Sequence, residues 1–343
     1  MRASLGFKTI LICVTFFSSL FSLSAFARPQ IEISYARPLS SHGPVVLRDG
    51  HELAIIKLVL GKPYLKRSSA HKKAYEALVL SADFFEQQFG LKSFDGKNSG
   101  IKATVGVGRI ALMFPTLKKL KQNAVWATQE ERFIFGAGGE FMAGFEDELD
   151  VVAHEYTHAV IQHSSQIPLW GESGALVEHF ADLFGEMAEQ LYRPTQKKWL
   201  IGEDILTPAT KKNYSEMESR PIHALRDMLN PGDGFDRQPS HYSQVPFEFL
   251  DDCVPAIDND ACGVHVMNGI PNRAAALIIS QLGWEKVKWI YFNLMTERLK
   301  SSYLGHEPKF ADYSRELLQL CSENLEAQDC DVVLAALKDV GLR

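Results

Sequence analysis

Apolar residues recur at helical spacing in several separate stretches of this chain. Between 69 and 88, Ala74, Ala77, Leu78, Leu80, Ala82 and Phe85 form one stripe, and Gly90 ends it. Downstream, 149–163, 174–192, 272–282 and 313–321 read as helices of the same kind. Short β-forming runs at 31–34 and 53–60 read as strands, and 100–145 reads as strand-rich, broken by Gly136, Gly138, Gly139 and Gly144. Residues 208–243 read as loop, with Pro231-Gly232-Asp233-Gly234 as the clearest turn. Strands first and helices afterwards predict an α+β protein: a β-rich N-terminal subdomain over 28–146, a mainly helical C-terminal subdomain over 147–343, and a cleft where they meet.

The first residues follow a different rule. Arg2 and Lys8 precede an uncharged, small and apolar stretch from 9 to 26, closed by Ala25-Phe26-Ala27. This reads as a secretory signal peptide over 1–27, cut after Ala27, with an uncleaved membrane anchor as the other reading. No later run is long and apolar enough to cross a bilayer, so no stable membrane insertion is expected after cleavage. Removing Arg2 and Lys8 moves the formal charge from −6 to −8, which argues against a nucleic-acid surface. Export to the periplasm or the medium as a monomer is the expectation.

Export changes the reading of cysteine. Cys13 leaves with the leader, and Cys253, Cys262, Cys321 and Cys330 remain. Three pairings exist; Cys253–Cys262 with Cys321–Cys330 is favoured because each closes a short local loop. Free buried thiols are the alternative, and the absence of a C-x-x-C pair argues against a cysteine zinc site.

Candidate chemistry sits in two of the helical stretches. His154-Glu155-Tyr156-Thr157-His158 places two imidazoles four residues apart, hence on one helix face, with a carboxylate beside them. Taken alone this could be a solvated face bearing two histidines. A catalytic zinc needs three protein ligands and an open position. Glu178 supplies the third candidate, and Asp182 lies one turn further along the same face, placed to orient a ligating histidine. The neighbours Leu176, Val177, Phe180, Ala181, Leu183 and Phe184 are apolar, so Glu178 is expected to be buried, where an unpartnered acid is costly.

These segments resemble the thermolysin-like neutral metallopeptidases. The run from Asp150 to Val160 is similar to that family's active-site helix, and Gly171 to Gly185 to its third-ligand helix. Gly263-Val264-His265-Val266-Met267-Asn268-Gly269 through Ala275 resembles the segment with its catalytic histidine. Asn123-Ala124-Val125-Trp126, Ala224-Leu225-Arg226, His241-Tyr242-Ser243 and the ending Asp339 to Arg343 match as well, so the likeness runs from about Ala70 onward. It implies a two-subdomain thermolysin-like fold and a zinc endopeptidase acting on peptides or proteins, on the amino side of bulky apolar residues. It implies His154, His158 and Glu178 as ligands of one zinc, Glu155 as general base, and His265 as oxyanion donor oriented by Asp260. Arg226 is implied to hold a substrate carbonyl, Asn123 and Ala124 the substrate backbone, and Leu225, Val151 and Ile201 an apolar pocket after the scissile bond.

The sequence also departs from the pattern. Leu169 stands where the family has an oxyanion-assisting tyrosine, with the Trp170 indole as a candidate substitute. Val177 replaces an asparagine that supports the second histidine. Asp150, Glu189 and Glu203 match carboxylates of a paired calcium site, but Lys198 and Leu200 replace two further acids, so at most one calcium is expected, with a salt-bridge cluster involving Lys198 as the alternative. The stretch before Ala70 is short for the family, and 28–44 reads as a short pro-segment or an edge strand. The competing functional reading is a zinc-binding, catalytically weak homologue acting as a binding protein; retention of Glu155, His265 and Arg226 argues for the enzyme.

Overall fold

The computed structural model describes residues 28–35, 69–107, 118–194, 198–250 and 253–343. The leader and the 53–60 run lie outside the described residues. Strand β1 (Ile31–Tyr35) pairs in parallel with β2 (Ile101–Val107), β2 in parallel with β4 (Arg132–Gly136), and β4 antiparallel with β3 (Ala124–Ala127). The sheet order is β1-β2-β4-β3, which makes β1 and β3 the edges. The segment beginning at Arg28 therefore contributes an edge strand. Phe133, Ile134 and Phe135 are all buried, so β4 is covered on both faces, and its apolar run needs no alternation.

Helix α1 (Ser69–Phe89) lies against the sheet and against α2 (Leu149–His163). Tyr156 is the pivot: its ring stacks on Phe85 of α1 at 5.6 Å and on Phe133 of β4 at 5.8 Å. With Tyr156 buried inward, residues two positions to either side, His154 and His158, turn toward the opposite face. Helix α3 (Gly171–Tyr192) runs alongside α2. Gly185 permits the close approach, since a Cβ there would sit 2.4 Å from the Asp150 carbonyl oxygen.

Apart from α2, the periodic stretches are longer than their stripes suggested. Helix α3 begins at Gly171 rather than 174. The stretch read as loop from 208 contains α4 (Pro208–Glu218), which buries only Thr210 and so shows no apolar stripe. Its signals are local: Thr207 Oγ1 accepts the Thr210 amide, Pro208 sits in the first turn, and Ser219 ends it in the left-handed region. Two short strands that flank α4 in the chain, β5 (Leu200–Ile201) and β6 (Arg226–Asp227), pair antiparallel. The longer helices that follow are α5 (Asp260–Met267), α6 (Gly269–Leu282), α7 (Trp284–Asn293), α8 (Phe310–Asn324) and α9 (Ala327–Asp339), and they share one core with α3. Disulfides join Cys253 to Cys262 and Cys321 to Cys330. Among the described residues, no helix is long and apolar enough to cross a membrane.

Candidate active site

A cleft of ≈ 830 Å³ opens between the β3 edge and helices α2 and α3. Two packed helices bring the metal-type residues together. His154 and His158 come from α2 and Glu178 from α3, and one donor atom from each lies within 4.8 Å of the others. His154 Nε2 is 3.1 Å from His158 Nε2 and 3.3 Å from Glu178 Oε2. Glu178 Oε2 is buried and makes no hydrogen bond of good geometry, although the imidazoles of His154 and His265 stand at 3.3 Å. Lone pairs converging on one point, with an orphaned carboxylate oxygen among them, fit a cation. Two imidazoles and one carboxylate are a zinc donor set.

Asp182 holds the outer side of His154. Its Oδ1 faces His154 Nδ1 at 2.9 Å, which leaves Nε2 free to turn inward. Asp182 is fully buried, and its charge is matched by Arg226, whose Nε and Nη2 donate at 2.8 and 2.6 Å. Burial pushes the Asp182 carboxyl up, but the Arg226 and His154 contacts prevail and hold it well below the usual carboxylate range. Asp236 adds a second carboxylate near Arg226, at 3.6 Å.

Glu155, next to His154, also lines the cleft. Its Oε2 accepts the Trp126 backbone amide at 2.7 Å. That amide points away from β4, so the β3 edge itself anchors the carboxylate. On the other wall, residues 260–263 form a left-handed turn, with φ of 55°, 49°, 69° and 73° at Asp260, Ala261, Cys262 and Gly263. Non-glycine residues pay about 1–2 kcal/mol each for this geometry. The Cys253–Cys262 disulfide and the Asn259 side chain, which accepts the Cys262 amide at 3.1 Å, tie the turn down. It curls Asp260 back onto His265, whose Nδ1 lies 2.6 Å from Asp260 Oδ1 and whose backbone amide donates to Oδ2 at 2.8 Å.

The electrostatics are those of crowded opposite charges. Burial raises the Glu178 carboxyl, but His265, His158 and His154 together pull it well below its ordinary value. The Glu178 charge in turn holds His265 well above the normal imidazole value, against burial and with help from Asp260. Burial lowers His154, yet its bonds to Asp182 and Glu178 outweigh this and bring it up to about 9.

A family model described as the thermolysin metallopeptidase catalytic domain matches residues 64–162, and one for the alpha-helical domain of the same peptidases matches 165–342. The chain belongs to the thermolysin metallopeptidase family. It is 32% identical over 280 residues to the neutral protease NprE of Bacillus pumilus, covering 80% of this chain and 79% of that one. An extracellular metalloprotease of Pectobacterium carotovorum subsp. carotovorum is 30% identical over 277 residues, covering 79% of this chain and 72% of the relative. In fold it resembles the precursor of protealysin, a metalloproteinase from Serratia proteamaculans, with a TM-score of 0.69, 24% identity, and coverage of 92% and 88%. As a member of this family the protein is a zinc metalloendopeptidase with a thermolysin-like fold.

Seen as a thermolysin-type cleft, most of the residues singled out from the sequence come together. Asn123, Ala124, Val151, Leu225, Arg226 and His265 all line it. Ile201 does not: it is fully buried in β5, where its carbonyl accepts the Leu225 amide at 3.0 Å, so it supports the pocket wall from behind. Trp170 is no substitute for the absent tyrosine, because its indole donates outward to Glu307 at 3.3 Å, while Leu169 lines the cleft half-exposed. Val177 is fully buried and offers His158 no partner. Away from the cleft, the clustered acids are Glu148, Asp150 and Glu189, with Glu203 buried nearby; Lys198 is exposed and does not fill the site. Sequence reasoning missed Glu148, which falls just before the helical period begins. It also assigned nothing to Asn268, just before α6, or to Asn272, in its first turn, although both are fully buried.

Proposed function

We propose that this enzyme is a secreted endopeptidase that hydrolyses peptide bonds on the amino side of bulky apolar residues. The observation that carries this reading is the convergence of His154, His158 and Glu178 in a cleft that also holds Glu155 and His265. Bound by those three ligands, zinc supplies Lewis-acid polarisation of the scissile carbonyl and makes water more acidic. Glu155 takes the proton of the attacking water and passes it to the departing amine. His265, held by Asp260, donates from Nε2 to the oxyanion. Arg226, fixed by Asp182 through Nε and Nη2, offers the carbonyl of the leaving half its Nη1, which also stands 3.6 Å from Asp236 Oδ2.

The substrate backbone adds to the β3 edge at Asn123 and Ala124, in the manner of an extra strand. Phe145, Val151 and Leu225 line the cleft with apolar surface suited to a bulky residue after the scissile bond. Secretion is supported by the leader pattern and by a relative named as extracellular. The buried acids Glu148, Asp150 and Glu189 offer only oxygen donors within 4.8 Å, a set that fits one calcium.

Digestion of an unfolded protein, with mass-spectrometric mapping of every cut, tests the specificity. Leu, Phe, Ile and Val should dominate the position after the cut. Cuts distributed without regard to that residue would refute the pocket assignment.

A further inference from the structure

Asp182 takes more hydrogen bonds than its pairing with His154 and Arg226 requires. The amides of Asn268 and Asn272, from α6 and the turn before it, both donate to its Oδ2 at 2.8 Å. Asn272 is itself held. Its Oδ1 lies 2.9 Å from His179 Nδ1, and His179 Nε2 lies 3.2 Å from the Tyr313 hydroxyl on α8. Asp182, Asn272, His179 and Tyr313 are all fully buried. His179 touches neither the cleft nor the metal-type cluster, so nothing in the chemistry above uses it.

The polarity of this chain of bonds is set from one end. An ionised carboxylate only accepts, so Asn272 must turn its NH2 to Asp182 and its oxygen to His179. His179 must then carry its proton on Nδ1, which leaves Nε2 to accept from the Tyr313 hydroxyl. Each member has one arrangement that satisfies all the others, and a buried polar network of this kind is stiff when complete.

We propose that Asn272 and His179 are positioning residues that lock Asp182, and through it the His154 imidazole, in the orientation that turns Nε2 toward the metal. Helix α8, remote from the cleft, thereby acts on the ligand geometry through Tyr313. This rests on the reading of His154 as a zinc ligand.

The test is zinc affinity of the full chain, measured by competition with a chromogenic chelator, together with the visible spectrum of the cobalt-substituted protein. Partners that contact a ligating histidine typically change metal affinity by 10–100-fold; one and two bonds further out, Asn272→Leu and His179→Leu should weaken zinc by about 3- to 10-fold and shift the cobalt bands. His179→Asn keeps a donor near the Nδ1 position and should restore affinity to within about twofold of wild type, even where its stability is lower. Should His179→Leu fail to fold, Tyr313→Phe removes the far donor with the ring retained, and should weaken zinc by about twofold or more. Unchanged affinity and spectrum in Asn272→Leu and in the foldable His179 or Tyr313 variant would overturn the proposal. So would His179→Asn binding no better than His179→Leu, since packing would then explain both. His154→Ala is the control: if it leaves zinc affinity unchanged, the ligand assignment falls and the proposal falls with it.

Discussion

Replacing Asp182 by asparagine should be among the most damaging single substitutions in the protein. The side chain is isosteric, so the effect is electrostatic and not one of volume. Asp182 is fully buried and the Arg226 side chain is only 11% exposed, so the variant leaves a guanidinium in the interior with Asp236, at 3.6 Å, and the more weakly acting Glu178 as counter-charges. Removing one partner of a buried ion pair costs about 3–5 kcal/mol. The new amide also presents donors to a site already crowded with them, and each buried polar group left unsatisfied adds about 1–3 kcal/mol. A loss of at least ~4 kcal/mol follows, or roughly 8–16 °C in Tm at the 2–4 °C per kcal/mol typical of larger domains. The pH dependence has a definite sign. The folded-state pKa of Asp182 lies below its ordinary value, so its stabilisation is present above about pH 4 and is lost as the pH falls through the folded-state value. Urea unfolding of wild type, Asp182→Asn, Arg226→Met and the double variant, all with zinc removed, isolates the pair. The coupling energy should exceed about 2 kcal/mol. A loss under about 1 kcal/mol for Asp182→Asn, or additive single effects, would refute the argument.

Other expectations follow from the same geometry. Burial above all, then the neighbouring acids, raises Glu148 and Glu189 and pushes Glu186 up to about 8, so with cations removed stability should be greatest at acidic pH and fall as the pH rises toward those values. Added calcium favours the ionised acids, so it should raise Tm more at pH 8 than at pH 6; an equal or absent shift by scanning calorimetry would rule out the site. Gly185→Ala places a methyl 2.4 Å from the Asp150 carbonyl and should cost about 1–3 kcal/mol while weakening zinc binding, because the two ligand helices must part. Leu169→Tyr returns a donor to the cleft wall and should raise kcat by about tenfold or more with little change in KM; a change in KM alone would place Leu169 in substrate binding instead.

The residues with chemistry were the most legible part of the sequence, because their spacing is tied to the helix period. Helix α2 runs from Leu149 to His163, the bounds its stripe predicts, since nearly every turn of it is buried. Helix α4 was illegible by the same criterion: with only Thr210 buried, its Lys, Asn, Ser and Glu residues carry no period, and the cap alone marks it. Side-chain direction was the second limit. Trp170 and Ile201 sit beside the right segments, yet the Trp170 indole points to Glu307 and Ile201 is fully buried within β5. The acid cluster shows a third limit. Glu148, Asp150 and Glu189 meet only because α2 and α3 cross at Gly185, a tertiary event that no local pattern records.

The central claim is that a zinc held by His154, His158 and Glu178 works with Glu155 as general base. The direct measurement is cleavage of a quenched peptide with a central Phe or Leu by wild type and by Glu155→Ala, each shown by elemental analysis to hold one zinc. Wild type should cut before the apolar residue, and the variant should keep its zinc while losing kcat/KM by about 10²–10⁴-fold or more. Equal zinc content with no cleavage by either protein would contradict the account and favour a zinc-dependent binding protein; comparable cleavage by both would remove Glu155 from the mechanism.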